Sequence, residues 1–413
     1  MEKTEFKQTE VGVIPRDWEV QNLEFVAEII MGQSPKGNSY NRNEIGSALI
    51  NGPTEFTDRF PIKIQWTSEP TKFCQNGDIL LCVRGSSTGR INISNDRYCI
   101  GRGVSAIRAK DNCTQMLLEY LTRNAVQSIL SKTSGSTFPN IDGKSLKSIQ
   151  VALPPTKAEQ AAIAAALNDA DALITQLEKL IAKKRNIKQG AMQELITGEK
   201  RLPGFEKKNG YKQTEVGIIP SDWELKKLTN IAEICTGSTP PTSDHNNYGN
   251  DYFFVTPADL GKGRLIQNTE KKLSTKGFNL SRKYPKKSIL FTCIGSTIGK
   301  SGIADRELTS NQQINAIFPN TTFDSDYLYY VLNLLSNRIK KGAGETAVPI
   351  INKSDFGELP IPLPPTKAEQ TRIAKILSDM DAEIEALEKK LEKYKMIKQG
   401  MMQELLTGKT RLV

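Results

Sequence analysis

The sequence contains one histidine, no Cys-x-x-Cys pair and no apolar run approaching the 18 or so residues that span a bilayer. Each absence removes a class of function. His245 lies in the polar stretch Ser243-Asp244-His245-Asn246-Asn247 and reads as an exposed loop residue. One imidazole leaves little scope for a His-based triad or a metal–histidine cluster. The cysteines at 74, 82, 99, 113, 235 and 293 lack the close pairing of a zinc site, so they are expected to be reduced and buried. The opening Met1-Glu2-Lys3-Thr4-Glu5 has none of the apolar character of a signal peptide. A cytoplasmic protein without membrane contact is the expectation.

What remains is an ordinary globular composition. The 413 residues are 38% hydrophobic and 25% charged, enough for two or three domains with sizeable cores. The formal net charge of +10 suits a polyanionic partner, because counterions displaced from phosphates drive binding.

The decisive feature is an internal repeat. Lys7-Gln8-Thr9-Glu10-Val11-Gly12-Val13-Ile14-Pro15-Arg16-Asp17-Trp18-Glu19 returns as Lys212-Gln213-Thr214-Glu215-Val216-Gly217-Ile218-Ile219-Pro220-Ser221-Asp222-Trp223-Glu224. Leu153-Pro154-Pro155-Thr156-Lys157-Ala158-Glu159-Gln160 returns unchanged at 363–370. Lys188-Gln189-Gly190-Ala191-Met192-Gln193-Glu194-Leu195-Ile196-Thr197-Gly198 returns at 398–408 with two apolar exchanges. The first offset is 205 and the later ones 210, so the second copy carries five extra residues between them.

Each copy has two parts. Residues 1–155 and 211–365 mix short apolar runs with Gly, Asn, Ser and Pro, the pattern of strands, turns and a few helices. Asp78–Val83 and Ser288–Cys293 are equivalent strand candidates. A Pro-Pro pair then marks a boundary and opens a long helical pattern. Its apolar positions are Ile163, Leu167, Ala170, Ile174, Leu177 and Ile181 in one copy. In the other they are Ile373, Leu377, Met380, Ile384, Leu387, Leu391 and Tyr394. Steps of four and three make a heptad seam. A helix lying on its own domain also needs an apolar stripe, but matching seams in both copies point to mutual pairing. A duplicated unit with self-pairing helices tends to pseudo-two-fold symmetry, which makes the helices antiparallel.

With these residues in view, the chain resembles the specificity subunit of a type I restriction–modification system. The doubled Pro-Pro-Thr-x-Ala-Glu-Gln entry and Lys-Gln-Gly-x-Met-Gln-Glu-Leu-(Ile/Leu)-Thr-Gly exit carry the likeness, as does Ile-Pro-x-Asp-Trp-Glu at 14–19 and 219–224. The resemblance covers essentially the whole chain. It implies two target-recognition domains reading the halves of a bipartite site on double-stranded DNA, with the paired helices setting the unread spacer. It implies as partners two adenine-N6 methyltransferase subunits and ATP-driven restriction or translocase subunits. No cofactor is expected in this chain; S-adenosylmethionine, ATP and magnesium would belong to the partners. It also suggests docking positions at Glu159, Gln160, Gln189, Gln193 and Glu194, repeated at Glu369, Gln370, Gln399, Gln403 and Glu404; solvated helix faces and caps are the alternative.

Other motifs fail on detail. Gly295-Ser296-Thr297-Ile298-Gly299-Lys300-Ser301 has three residues between its glycines where a phosphate loop needs four. Its repeat partner, Gly85-Ser86-Ser87-Thr88-Gly89-Arg90-Ile91, replaces Lys-Ser with Arg-Ile. Both read better as glycine-rich turns offering N–H groups, hydroxyls and one cation to a DNA phosphate or base edge. Pro257-Ala258-Asp259 followed by Glu270-Lys271-Lys272 loosely fits a magnesium nuclease but has no equivalent in the first copy. An adenine methyltransferase needs Asn or Asp before its Pro-Pro, and both pairs here read Leu-Pro-Pro-Thr. Gly342-Ala343-Gly344-Glu345 is too short for a cofactor loop.

The DNA-contact candidates are therefore Gly85, Ser86, Ser87, Thr88, Arg90, Arg102, Lys132, Ser134, Ser136 and Thr137. In the second copy they are Ser296, Thr297, Lys300, Asn311, Gln312, Lys340, Lys341 and Thr346. Arg102 aligns with Gln312; Arg favours guanine and Gln or Asn favours adenine, which predicts an asymmetric target. The basic stretches around Lys183–Lys188 and Lys389–Lys398 read as solvated helix faces, with contact to the spacer backbone as the alternative.

The expected fold is α+β: two mixed α/β target-recognition domains (1–155 and 201–365) in pseudo-two-fold arrangement, joined by two long antiparallel coiled-coil helices (156–200 and 366–413). The expected function is non-catalytic DNA recognition and subunit assembly. Three alternatives stay open: a specificity subunit of another restriction class, a single-chain nuclease or methyltransferase, and a scaffold that never touches DNA.

Overall fold

The structure, a computed structural model, describes residues 5–132, 140–206, 210–342 and 349–412. The chain forms two compact units, Met1–Leu177 with Lys390–Val413, and Glu178–Lys389.

In the first unit, β1 (Ala27–Met31), β2 (Ile79–Cys82), β3 (Ile91–Ile93) and β4 (Val104–Ala109) make an antiparallel sheet in the order β1-β4-β2-β3. Every residue of β2 is buried because the sheet is covered on both faces. Ile79 and Leu81 enter the main core with Trp18, Leu23, Ile107, Leu117 and Leu121, while Leu80 and Cys82 enter a second core with Ile50, Cys74, Tyr98 and Ile100. That split is the two-residue period of a strand. Helix α1 (Gln115–Lys132) lies on the main-core side.

The second unit repeats the plan with one addition. Its sheet runs β5-β9-β7-β8-β6, from β5 (Ile234–Thr236), β6 (Leu265–Ile266), β7 (Ile289–Thr292), β8 (Ser301–Ala304) and β9 (Ile314–Ile317). The extra edge strand β6 is parallel to β8 and the other pairings are antiparallel. Ile289 and Phe291 face one core and Leu290 the other. Helix α3 (Ser325–Gly342) takes the place of α1.

Two long helices follow the Pro-Pro pairs, α2 (Lys157–Thr197) and α4 (Lys367–Leu405). Their entries are built alike. The hydroxyls of Thr156 and Thr366 accept the N–H groups of Glu159 and Glu369 at 3.2 and 3.3 Å, capping the first turn. Gly198 and Gly408 then end the exit motifs with φ of 70° and 67°, the left-handed conformation that closes a helix without side-chain strain.

The compact units divide inside both helices, after residue 177 in one and after residue 389 in the other. Ile163, Ala164 and Leu167 complete the core of the first unit together with Leu405 and Leu406. Ile373, Ala374 and Leu377 complete the second with Met192, Leu195 and Ile196. The first positions of each heptad seam therefore pack into a domain core as well as facing the other helix. Within the second unit, Lys184 pairs with Glu383 at 2.6 Å and Lys188 with Asp381, an antiparallel pairing of α2 and α4. Within the first, Asp171 pairs with Lys398 while the residues near 163 meet those near 405, the same sense.

Candidate nucleic-acid interface

Strands β2 and β7 both run into the glycine-rich turn, and its hydrogen bonds repeat. Gly89 N–H donates to the Cys82 carbonyl at 2.8 Å and Cys82 N–H to that of Arg90 at 2.9 Å. Gly299 with Thr292, and Thr292 with Lys300, do the same at 3.2 and 2.8 Å. Gly85, Gly89, Gly295 and Gly299 have φ between 81° and 96°, which is why glycine stands at all four positions. The N–H groups of Thr88, Gly89 and Arg90, like those of Ile298, Gly299 and Lys300, bond carbonyls of the same turn or its strand. The turn thus uses most of the donors expected to face DNA. Ser86 and Ser296 are exposed, Ser87, Thr88 and Thr297 half-buried.

The two cations of the turn differ. Arg90 donates to the carbonyls of Pro53 and Phe56 at 3.4 and 3.2 Å, so it ties down a neighbouring loop. Lys300 is exposed. It lines a cleft of about 1010 Å³ in the second unit with Ser296, Thr297, Lys340, Arg264 and Lys188. Lys341 is exposed beside Lys340 on the last turn of α3. Ser134, Ser136, Thr137 and Thr346 lie outside the described residues, as does the side chain of Lys132.

A second pair of turns gives the clearest contrast. Arg102 is exposed, and its backbone N–H donates to the Ser34 hydroxyl at 3.3 Å. At the same place in the second unit the Thr239 hydroxyl donates to Oε1 of the exposed Gln312 at 2.6 Å. Asn311, expected to contact DNA, is half-buried; its amide donates to Gln313 Oε1 at 2.9 Å and its oxygen accepts the Gln313 N–H. It shapes the turn. Around Arg102 lies a concavity of about 550 Å³ lined by Ser34, Tyr40, Asn51, Arg84, Gly85 and Gly103. Of that lining, sequence reasoning found only Gly85 and Arg102. The signal for Arg84 was its position directly before Gly85, where the second copy has Ile294.

The nuclease-like pattern does not converge. Asp259 is buried and accepts the Thr256 N–H and hydroxyl, each at 2.8 Å, and the Glu270 N–H at 2.9 Å. Glu270 is exposed toward Lys262. Glu55 closes the corresponding turn in the first unit by accepting the N–H groups of Asn51 and Gly52, and burial raises its pKa. Among the described residues, no three His, Cys, Asp or Glu gather as a metal site.

Four of the ten docking candidates face inward. Gln160 accepts the Thr114 N–H at 2.9 Å and donates to the Asn112 and Pro154 carbonyls; Gln370 accepts the Asp324 N–H at 2.9 Å. Glu369 meets Arg201 at 2.7 and 3.0 Å, and Arg201 also reaches Asp222 at 2.9 Å. Glu159, Arg411 and Asp17 form the same triad in the first unit. These four side chains bind helix to domain and are closed to a docking partner. Gln189, Gln193, Glu194, Gln399, Gln403 and Glu404 are exposed. The triads escaped sequence reasoning, although Arg201 and Arg411 follow their Thr-Gly exits at the repeat offset of 210. Further along the same helices, Asp171 accepts the Tyr120 hydroxyl at 2.9 Å and Asp381 that of Tyr330 at 2.6 Å.

Known proteins match both copies. The family model described as the type I restriction modification DNA specificity domain matches residues 15–189 and again 220–395. A putative type I restriction enzyme MjaX specificity subunit of Methanocaldococcus jannaschii is 36% identical over 204 residues, 49% of this chain and 48% of that protein. The MjaIX specificity subunit of the same organism is 34% identical over 194 residues, 46% of this chain and 44% of that protein. The alignments thus span about half the length of these curated relatives. The crystal structure of a type I restriction–modification S subunit from M. genitalium shares the fold, with a TM-score of 0.61 at 17% identity over 94% of this chain and 96% of that one. No helix among the described residues is long and apolar enough to cross a membrane. With the specificity-domain model matched twice and across most of its length, this chain belongs to the type I restriction–modification DNA specificity family.

Proposed function

We propose that the chain is the DNA-recognition subunit of a type I restriction–modification complex, reading an asymmetric bipartite site and performing no chemistry itself. One observation carries this reading. Two copies of one scaffold keep identical internal brackets yet differ at the outward turns, with Arg102 against Gln312 and Arg84 against Ile294. Bases are distinguished in the major groove by donor and acceptor pattern, so a guanidinium and an amide on a common backbone select different bases. Identical readers would instead select a palindrome.

The complex would be an adenine-N6 DNA methyltransferase and a site-specific deoxyribonuclease, with S-adenosylmethionine, ATP and magnesium held by its other subunits. The exposed Gln189, Gln193 and Glu194, repeated at Gln399, Gln403 and Glu404, supply two equivalent faces for two methyltransferase subunits. The helices spanning 157–197 and 367–405 would set the unread spacer. The test is genome-wide adenine methylation in cells carrying the chain and its methyltransferase partner, before and after exchange of residues 1–155. A bipartite motif should appear and only one half should change. A palindromic motif sinks the asymmetric reading, and a methylome indifferent to the chain sinks the function.

A further inference from the structure

We propose that the concavity of the first unit is a guanine-reading pocket in which Arg84 acts together with Arg102. This rests on the DNA-recognition reading and names the base that one half-site must contain.

The two arginines line the same concavity because of the backbone beneath them. Val83 N–H donates to the Gly103 carbonyl at 2.9 Å, which brings residues 84 and 102 to the same rim. Arg102 stands between two glycines pressed against Asn51. A Cβ on Gly101 would lie 1.9 Å from Asn51 Oδ1, and one on Gly103 2.4 Å from the Asn51 carbonyl. Asn51 is itself held, through its N–H on Glu55 and its amide on Gln65. The rim is thus fixed before any ligand arrives, while both guanidiniums are exposed. Neither has a carboxylate partner among the described residues, in contrast to Arg108 on Asp78 or Arg123 on Glu119.

A planar fork of N–H donors matches the O6 and N7 acceptors that guanine alone offers side by side in the major groove. Phosphates occur in both half-sites, so a phosphate grip calls for cations in both units. Here the second unit has Ile294 and Gln312 instead. The divergence favours base reading.

The experiment maps adenine methylation in cells expressing the chain with its methyltransferase partner, comparing Arg84→Gln, Arg84→Lys and Arg102→Gln with the unsubstituted chain. Each variant should weaken preference for a guanine in the first half-site by roughly ten-fold, with the second half-site and its methylation retained. Arg84→Lys keeps the charge without the fork, so it decides the matter should Arg84→Gln fail to fold. A uniform drop at all sites with the motif unchanged marks a phosphate grip and overturns the proposal. So does an unaltered motif at full methylation. If the unsubstituted chain yields no bipartite motif, the recognition reading itself fails and the pocket falls with it.

Discussion

The two units agree where they are closed and differ where they are open. Arg201 with Glu369 and Asp222 is copied by Arg411 with Glu159 and Asp17, residue for residue across an offset of 205 or 210. The turns at Arg102 and Gln312 share a backbone course but neither size, charge nor hydrogen-bonding pattern. The joints that attach a helix to a domain are the same in both copies, and the exposed turn positions are where the copies differ. The copies nonetheless differ in depth. The side chains of Arg201, Glu369 and Asp222 are 8%, 1% and 9% exposed, whereas Arg411 and Asp17 are 23% and 50% exposed around a fully enclosed Glu159.

That difference in depth sets the largest expected effect. Arg201→Ala leaves a buried carboxylate without its cation and should cost the second unit about 3–5 kcal/mol in denaturant unfolding. Arg411→Ala should cost less, because water reaches Asp17 and the rim of the pair. Equal losses would show that depth does not matter and that the joints are energetically identical. Glu369 also gives the comparison a pH dependence. Burial raises its carboxyl pKa, against the opposing pull of Arg201. The native state therefore binds this proton more tightly than the unfolded chain does. Relative to Glu369→Gln, the unsubstituted chain should gain stability as pH falls through the range just above 4.5, and lose that gain as pH rises. The opposite slope in unfolding experiments from pH 7 to 4 would mean that Arg201 outweighs burial.

The helix exits come next. A Cβ on Gly198 would lie 2.6 Å from the Pro220 ring, and one on Gly408 2.5 Å from the Pro15 ring, and both residues have positive φ. Ala at either should cost about 1–2 kcal/mol from the left-handed backbone alone, with ring overlap added. Equal losses are expected here, since the contacts match to 0.1 Å. A clear inequality would break the equivalence of the two joints. The same contacts show why Ile-Pro-x-Asp-Trp recurs in the sequence: it is the seat for a helix end.

Much of this was legible from residue order alone, and the parts that were not share a cause. The helices begin at 157 and 367 because the Pro-Pro-Thr entries act locally, and they end at 197 and 405, beside the Thr-Gly exits. The heptad seam was visible, but its first positions also enter a domain core, which periodicity cannot distinguish. Glu159 and Glu369 read as docking positions or solvated helix faces and caps because their cations lie 252 and 168 positions away in the chain. Asn311 sits beside the exposed Gln312, yet its bond to Gln313 depends on how the turn folds. Arg84 is not marked by residue order because Arg102, which lines the same concavity, is not its neighbour in sequence.

The smallest effect offers the strictest comparison. Tyr120 and Tyr330 are both almost fully buried and donate to Asp171 and Asp381, which in turn pair with Lys398 and Lys188. Each lysine also lies over its tyrosine ring, at 5.8 and 5.5 Å. Burial raises both phenol pKa values, so the hydroxyls stay protonated and donating across the working pH range. Tyr→Phe removes one hydroxyl and leaves the aspartate its lysine, so each variant should lose only about 1 kcal/mol. Because shape and ring contact survive, the losses isolate the hydrogen bond itself. Matching values from thermal unfolding would extend the equivalence of the two units to a single bond. A loss in one unit only would place the divergence of the copies inside the joint as well as at the exposed turns.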